Sequence, residues 1–224
     1  MEERDITVVI PAYNEEKYIE RTLQSLKAQK YKNYIIIVVD NNSKDTTVEI
    51  AKKYADHVLS EKRQGAGYAR YHGIESSKST IIASADADSI YPPDWLSRIN
   101  EALQGNVVGC YGRINSGHRI YDQLYHYFVI FNVLIGFPQC AANNLAFIRK
   151  HYDGFNVKCH SGEDIMLAFH LKRFGRFIYR DDITADVSDR RIKASVTRLL
   201  WENGKNYLSL LFFKRPACEI SNYR

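Results

Sequence analysis

An α/β fold is predicted, a doubly wound and mostly parallel sheet flanked by helices. Three observations predict it. Short β-branched runs alternate with amphipathic helical stretches. The runs are apolar throughout, as strands buried on both faces are. Three of them end beside polar or acidic residues, at the edge where such sheets bind ligands. Residues 1–190 are read as the main domain and 191–224 as a basic, aromatic helical extension of it.

Ile6 to Ile10 is the first strand, and Glu15 to Gln29 a helix with Ile19, Leu23 and Leu26 on one face. Asn14 is placed to cap that helix, with Glu15 and Glu16 at its positive end. Tyr34 to Val39 is a second buried strand, followed by helix over Asp45 to Tyr54 and a short strand over His57 to Ser60. Ala66 to Ser76 reads as helix, Thr80 to Ala85 as strand, and Asp94 to Leu103 as helix after the break at Tyr91-Pro92-Pro93. The second half is less regular. Val107 to Ile114 and Asn143 to Ile148 are predicted strands, and Ile120 to Ile135 and Glu163 to Phe174 predicted helices.

The 224 residues are 45% hydrophobic and 25% charged, enough for a core that needs no disulfide. Cys110, Cys140, Cys159 and Cys218 form no CxxC pair and read as reduced structural thiols. The charged start carries no secretory pattern, and the apolar stretch Tyr125 to Phe137 falls short of the about 20 residues of a membrane span. A cytoplasmic location is therefore expected, with room for peripheral contact at the inner membrane face. The net charge of +5 suits an anionic partner without choosing among nucleotide diphosphate, phospholipid and nucleic acid.

Asp86-Ala87-Asp88 follows an apolar strand, and two carboxylates there can serve one hard cation, Mg²⁺ or Mn²⁺, that also binds substrate phosphates. A solvated acidic turn is the plainer reading, weakened by the position opposite Asp40. In Pro11-Ala12-Tyr13-Asn14-Glu15-Glu16, Pro11 stiffens the turn, Tyr13 can stack on a base, and the helix start favours phosphate. Asp40 can accept from a nucleobase or ribose. Around it, Asn42, Ser43 and Asp45 read as turn and cap residues. Arg63 and Arg70 flank Gly65 and Gly67, and either can meet a phosphate. The third glycine of a dinucleotide fingerprint is missing. Glu163 and Asp164 open an apolar helix, and by themselves read as acids offsetting the helix dipole.

Taken in order, VVIPAYNEE, VVDNNSKDTT, GAGYARYHGI, ADADS followed by PPDWL, NNLAFIRKHYDGFN and GEDIMLAFHLKRFG resemble family 2 of the inverting glycosyltransferases, which have the GT-A fold. The resemblance runs from Ile6 to about Gly175. It implies a UDP- or GDP-sugar donor held by Pro11, Tyr13, Glu15, Asp40, Arg63, Asp86 and Asp88. It implies Mg²⁺ or Mn²⁺ on Asp88 and Asp86, with Asp88 the better ligand. It makes Asp164 the base, with Asn143 and Glu163 on the acceptor side. The late histidine of many relatives is absent from Asp186-Val187-Ser188-Asp189-Arg190-Arg191. Asp189 can substitute, water can, or Arg190 and Arg191 can bind the diphosphate. The QxxRW motif of processive synthases is also absent, so transfer of a single sugar is expected.

A nucleotide-sugar-binding protein without transferase activity is the alternative. A nucleotidyltransferase would carry a glycine-rich loop where Pro11 to Glu16 has no glycine, and no nucleic-acid motif accompanies the basic tail. That tail, Arg190 to Arg215, holds seven Lys/Arg against Glu202, among Trp201, Phe212 and other apolar residues. It suits an anionic membrane surface and a lipid-linked acceptor. Packing on the core, or a homodimer interface, is the blander expectation.

Overall fold

Strand β1 (Ile6–Ala12) leads to helix α1 (Ile19–Lys27), β2 (Tyr34–Asp40), α2 (Thr47–Tyr54), β3 (His57–Ser60), α3 (Ala66–Ser76) and β4 (Ile81–Ser84). Then follow α4 (Trp95–Ala102), β5 (Val107–Asn115), α5 (Arg119–Leu134), β6 (Leu145–Ile148), α6 (Glu163–Leu171) and β7 (Arg176–Asp186). These elements come from a computed structural model that describes residues 4–154, 162–188, 190, 207 and 209. The expected extension over 191–224 lies, apart from Tyr207 and Ser209, outside the described residues, as do Asp189, Cys159 and Cys218.

The strand order is β3-β2-β1-β4-β6-β5-β7. β1 pairs in parallel with β2 and β4, β2 with β3, and β5 with β7, while β6 opposes both β4 and β5. Six of these strands thus run one way and β6 alone against them. From β1 the chain winds outward to β2 and β3, then crosses back to β4. The strand order reverses between β1 and β4, and a crevice beyond their carboxyl ends is where this architecture takes ligands.

Alternation along β1 separates two apolar layers. Val8 and Ile10 pack with Leu23 and Leu26 of α1 and Trp95 and Ile99 of α4. Val9 packs with Ile74 of α3, Val129 of α5 and Ile165 and Leu171 of α6. Helices therefore cover both faces, and each large core side chain contributes about 1.5–3 kcal/mol by leaving water. Cys110 and Cys140 are buried free thiols, as expected. Burial pushes Cys110 up to about 12 and Cys140 well above its usual value, so neither is reactive.

Four local expectations are corrected. Asn14 does not cap a helix. It sits in the left-handed region (φ 53°), and α1 starts at Ile19 with Tyr18 as an N-cap that makes no side-chain bond. The polar groups of residues 14–16 face the β2–α2 loop instead. The Asn14, Glu15 and Glu16 amides donate to Ser43 Oγ, Thr47 Oγ1 and Asp45 Oδ2, and Asn14 Oδ1 accepts from the Lys44 amide. Those amides are thereby engaged by side chains, not aimed at phosphate.

Helix α2 starts at Thr47 because Asp45 Oδ1 accepts from both the Thr47 amide and hydroxyl. Asn143 lies in a 3-10 turn (Ala142–Asn144) ahead of β6, not in a strand. Helix α6 ends at Leu171, where the chain turns and the Phe174 ring stacks on His151.

Strand β7 was not expected at all. Its centre departs from regular pairing. Gly112 of β5 pairs with Arg180, and the next residue, Arg113, with Thr184, so residues 181–183 bulge out. Asp182 then pairs with Arg180 and Arg98, and Ile183 turns into the core at 1% exposure. The bulge brings the Ile183 carbonyl close over Gly112. A Cβ there would lie 1.8 Å from that oxygen, so only glycine fits.

Candidate active site

The crevice is built from the ends of β1, β2 and β4, closed by the turn before β6 and the start of α6. Asp40 is buried at the end of β2 and accepts from the Ser43 amide at 3.2 Å. Asn41 beside it is structural. Its amide donates to the Glu61 and Arg63 carbonyls, and its Oδ1 accepts from the Gly65 amide. Tyr13 follows β1 and is 46% exposed. Pro11 lies in the strand itself, in register with Val39.

Glu15, Asp86 and Asp88 share one patch. Arg190 reaches into it, donating to Glu15 Oε1 and Asp88 Oδ2 while its guanidinium lies 4.4 Å from the Tyr18 ring centre. Burial raises the Glu15 pKa above the usual carboxylate value. Arg190 opposes that rise, and the charges of Asp88 and Asp86 add to it. Glu15 Oε2 is buried with no hydrogen-bond partner.

Asp86 is paired on its other side with Arg70, at 2.7 Å. Arg70 is 3% exposed, and its charge also reaches Asp164. Of the two arginines considered for phosphate, the fold brings Arg70 into the crevice. Arg63 clamps Glu61 through Nε and Nη2 at 2.9 and 2.8 Å and lies over the Tyr68 ring. That clamp holds Glu61 at about 2. A signal for Arg70 was present: Ala69, Gly73 and Ile74 mark the inward side of α3, and Arg70 sits among them.

Asp164 is in the first turn of α6, after Gly162 in left-handed backbone (φ 87°). Its Oδ2 accepts from the Ala142 amide at 3.1 Å and its Oδ1 from the Ile165 amide at 2.8 Å. Its pKa is pushed up to about 7, first by burial, then by the Glu163 charge, against the pull of Arg70 and the two amides. A carboxylate of that value can take up and release a proton near neutrality.

One buried residue, missed in the sequence, ties the two sides together. The Tyr91 hydroxyl accepts from the Asp86 amide at 3.0 Å and donates to the Asn143 carbonyl at 2.9 Å. Asn144 braces the same turn. Its Nδ2 donates to the Arg113 and Ile183 carbonyls, and its Oδ1 accepts from the Trp95 indole. The side-chain oxygens of Asn143 and Gln139, on the segment that leads into this turn, are buried and unpartnered.

Among the described residues, no three His, Cys, Asp or Glu side chains are gathered to hold a metal ion. Asp86 and Asp88 still fit a hard cation that takes one or two carboxylates and completes its shell with phosphate oxygens. The orphaned Glu15 oxygen adds acceptor capacity at the same patch.

The profile of Glycosyl transferase family 2 matches residues 7–169, from β1 into α6. This chain belongs to that family. Glycosyltransferase AglE of Haloferax volcanii is 34% identical over 115 residues, covering 48% of this chain and 38% of that protein. Glycosyltransferase GlyA of Streptococcus pneumoniae is 29% identical over 125 residues, covering 52% of this chain and 18% of that protein. The family 2 chain thus spans well under half the length of these relatives.

Two solved structures share its fold. Mannosyltransferase PcManGT from Pyrobaculum calidifontis, in complex with GDP-Man and Mn²⁺, aligns at a TM-score of 0.74 and 20% identity, over 84% of this chain and 58% of that one. Glucosyl-3-phosphoglycerate synthase from Mycobacterium tuberculosis, in complex with Mn²⁺ and UDP-glucose, aligns at 0.68 and 19% identity, over 93% and 78%. The likeness places the chain in the GT-A class of mixed α/β folds.

Proposed function

We propose that this chain transfers one sugar from a nucleotide-diphosphate sugar to an acceptor, with inversion at the anomeric carbon. The observation that carries the reading is the pairing across Arg70. The Arg70 guanidinium pairs with Asp86, at the end of an oxygen-rich patch, and its charge also acts on Asp164, a carboxylate with a pKa of about 7.

Tyr13 stacks on the nucleobase, and Asp40 accepts from base or ribose. Arg190 is the cation placed to meet the diphosphate, since it already bridges Glu15 and Asp88. A divalent cation on Asp86 and Asp88 would offset negative charge on the leaving diphosphate. Asn143 and Gln139 offer unpartnered oxygens to acceptor hydroxyls. Asp164 takes the acceptor proton as its oxygen bonds to the anomeric carbon. The bond to the diphosphate oxygen breaks with both electrons going to the nucleoside diphosphate. One displacement from the far face inverts the centre and leaves no sugar on the protein.

The test is a turnover screen over UDP- and GDP-sugars with Mn²⁺ or Mg²⁺, reading nucleotide release and product anomer. Release with inversion is expected for one donor. Retention would sink the mechanism. A donor that raises the melting temperature but is never turned over would make this a binding protein.

Two further results are expected from the same site. Turnover should fall tenfold per pH unit below about 7 and level off above it, because only ionised Asp164 accepts the proton. A rate flat from pH 5 to pH 8 would remove that group from the step. Asp88→Ala should weaken nucleoside diphosphate binding in Mn²⁺ by at least about tenfold, the lower range for disturbed metal sites. It should also abolish the difference between Mn²⁺ and EDTA, measured by calorimetry. A wild type insensitive to EDTA would leave the diphosphate to Arg190.

A further inference from the structure

Among the described residues, nothing is packed on one face of α5. Ile120, Leu124, Tyr127, Phe131 and Leu134 follow one another at spacings of four and three, so they form a single row along the helix. They are 76%, 66%, 68%, 55% and 80% exposed. Scattered apolar residues on a surface need no explanation, but a continuous row of five large ones does. The opposite side of α5 holds Val129 and Asn132 in the interior.

The exposed charges at the two ends of the row are cationic, while Asp181, at the side of the helix, is engaged by His126 and Arg113. Asp122, the only acid of α5, is turned to the Ser116 amide and hydroxyl. Exposed Arg119 stands at the start of the helix. At its other end the Lys172 ammonium donates to the Gly136 carbonyl, next to exposed Arg173. By sequence alone, the segment 190–215, mostly outside the described residues, carries seven Lys/Arg against one acid. No helix among the described residues is long and apolar enough to cross a membrane.

We propose that α5 docks flat on an anionic phospholipid surface, its apolar row among the acyl chains and its flanking cations at the headgroups. An apolar helix face rimmed by Lys and Arg binds in that way. A second copy fits less well. Antiparallel pairing would set Arg119 against Lys172 and parallel pairing would stack like charges, with no acid to offset them. From the chain's own tail, the described residue Tyr207 meets a different side of the helix. Tyr207 packs on Phe128 and Phe137 and donates to Asn132.

Docking would also set the site at the interface. Tyr125, on the inner side of α5, feels the charge of Asp164 and lines a small pocket with Gln139 and Ala141. An acceptor hydroxyl or phosphate on a lipid carrier would then arrive beside the base. That consequence rests on the transferase reading, whereas the docking does not.

Flotation with phosphatidylcholine vesicles, with and without phosphatidylglycerol, tests it. Binding is expected to the anionic vesicles at low salt, reversed by added salt. The double variant Leu124→Glu/Leu134→Glu should lower it at least about tenfold, since two apolar side chains of the row are replaced by charges that the acyl region rejects. Its melting temperature and donor hydrolysis should stay unchanged. A wild type that stays off anionic vesicles at low salt overturns the proposal. In that case, a drop in the variant's melting temperature would assign the row to the chain's own residues, and a dimer turned monomer to a second copy. Vesicle binding without any donor turnover would defeat only the transferase reading.

Discussion

Asp164→Asn is expected to lower turnover by about two to four orders of magnitude and, at the same time, to make the protein more stable above pH 7. The first effect is the loss of a general base, whose usual contribution is about 10²–10⁴. Asparagine keeps the shape and can still accept from the Ala142 amide, so nucleotide binding should survive. The second effect follows from the direction of the pKa shift. In an unfolded chain an aspartate titrates near about 4, whereas in the fold Asp164 is pushed up to about 7. Between those values the folded protein holds a proton that the unfolded chain has released. Stability therefore falls as pH rises through that window, and above it the fold carries the full cost of a buried carboxylate next to Glu163. Removing the charge should raise the melting temperature at pH 8 and change it little at pH 4. Near wild-type turnover would remove Asp164 from the chemistry. Equal melting shifts at both pH values would show that the carboxylate carries no such cost.

Gly112→Ala is expected to cost about 3 kcal/mol or more, at the upper range for forcing atoms into a packed site. Its Cβ would lie 1.8 Å from the Ile183 carbonyl oxygen and 2.6 Å from Asn144 Nδ2. Neither neighbour can swing aside. The carbonyl is main chain at a bulge, and Asn144 is held by Trp95, Arg113 and Ile183 together. Loss of that brace would also release the turn whose Ala142 amide holds Asp164, so activity should fall in whatever fraction still folds. Gly109→Ala on the same strand is the comparison. Its Cβ would meet the side chain of Phe177 at 2.5 Å, and a ring can shift. Urea unfolding of both variants checks this, and equal midpoints would refute the rigidity of the bulge.

The parallel core was legible because its strands are uninterrupted apolar runs and α3 spans the residues its pattern predicts. Asp40, Asp86 and Asp88 were legible because they directly follow such runs. What was not legible depends on partners distant in sequence. Asn14 has the composition of a helix cap, and only the approach of Ser43 and Lys44, some thirty residues on, makes it a cross-link between loops. Strand β7 was obscured by its own bulge, whose three residues carry two acids where a strand pattern needs alternation. Arg70 was weighed beside Arg63, and choosing between them requires knowing that Glu61 takes the latter. Tyr91 was read as part of a Pro-rich break, since nothing local says that a phenol there will be buried.

The Tyr91 hydroxyl has one proton to give, and the fold fixes where it goes. It accepts from the amide of Asp86, on the side proposed to face the sugar donor, and donates to the carbonyl of Asn143, on the side proposed to face the acceptor. Burial moves its ionisation far above any working pH, so the direction of that relay does not reverse. The turns on the two sides of the crevice are consequently not independent parts. A displacement of either turn strains a bond that the same buried hydroxyl makes to the other. Whatever factor the donor adds to acceptor affinity, the acceptor must return to the donor, because the coupling free energy between two sites is one quantity.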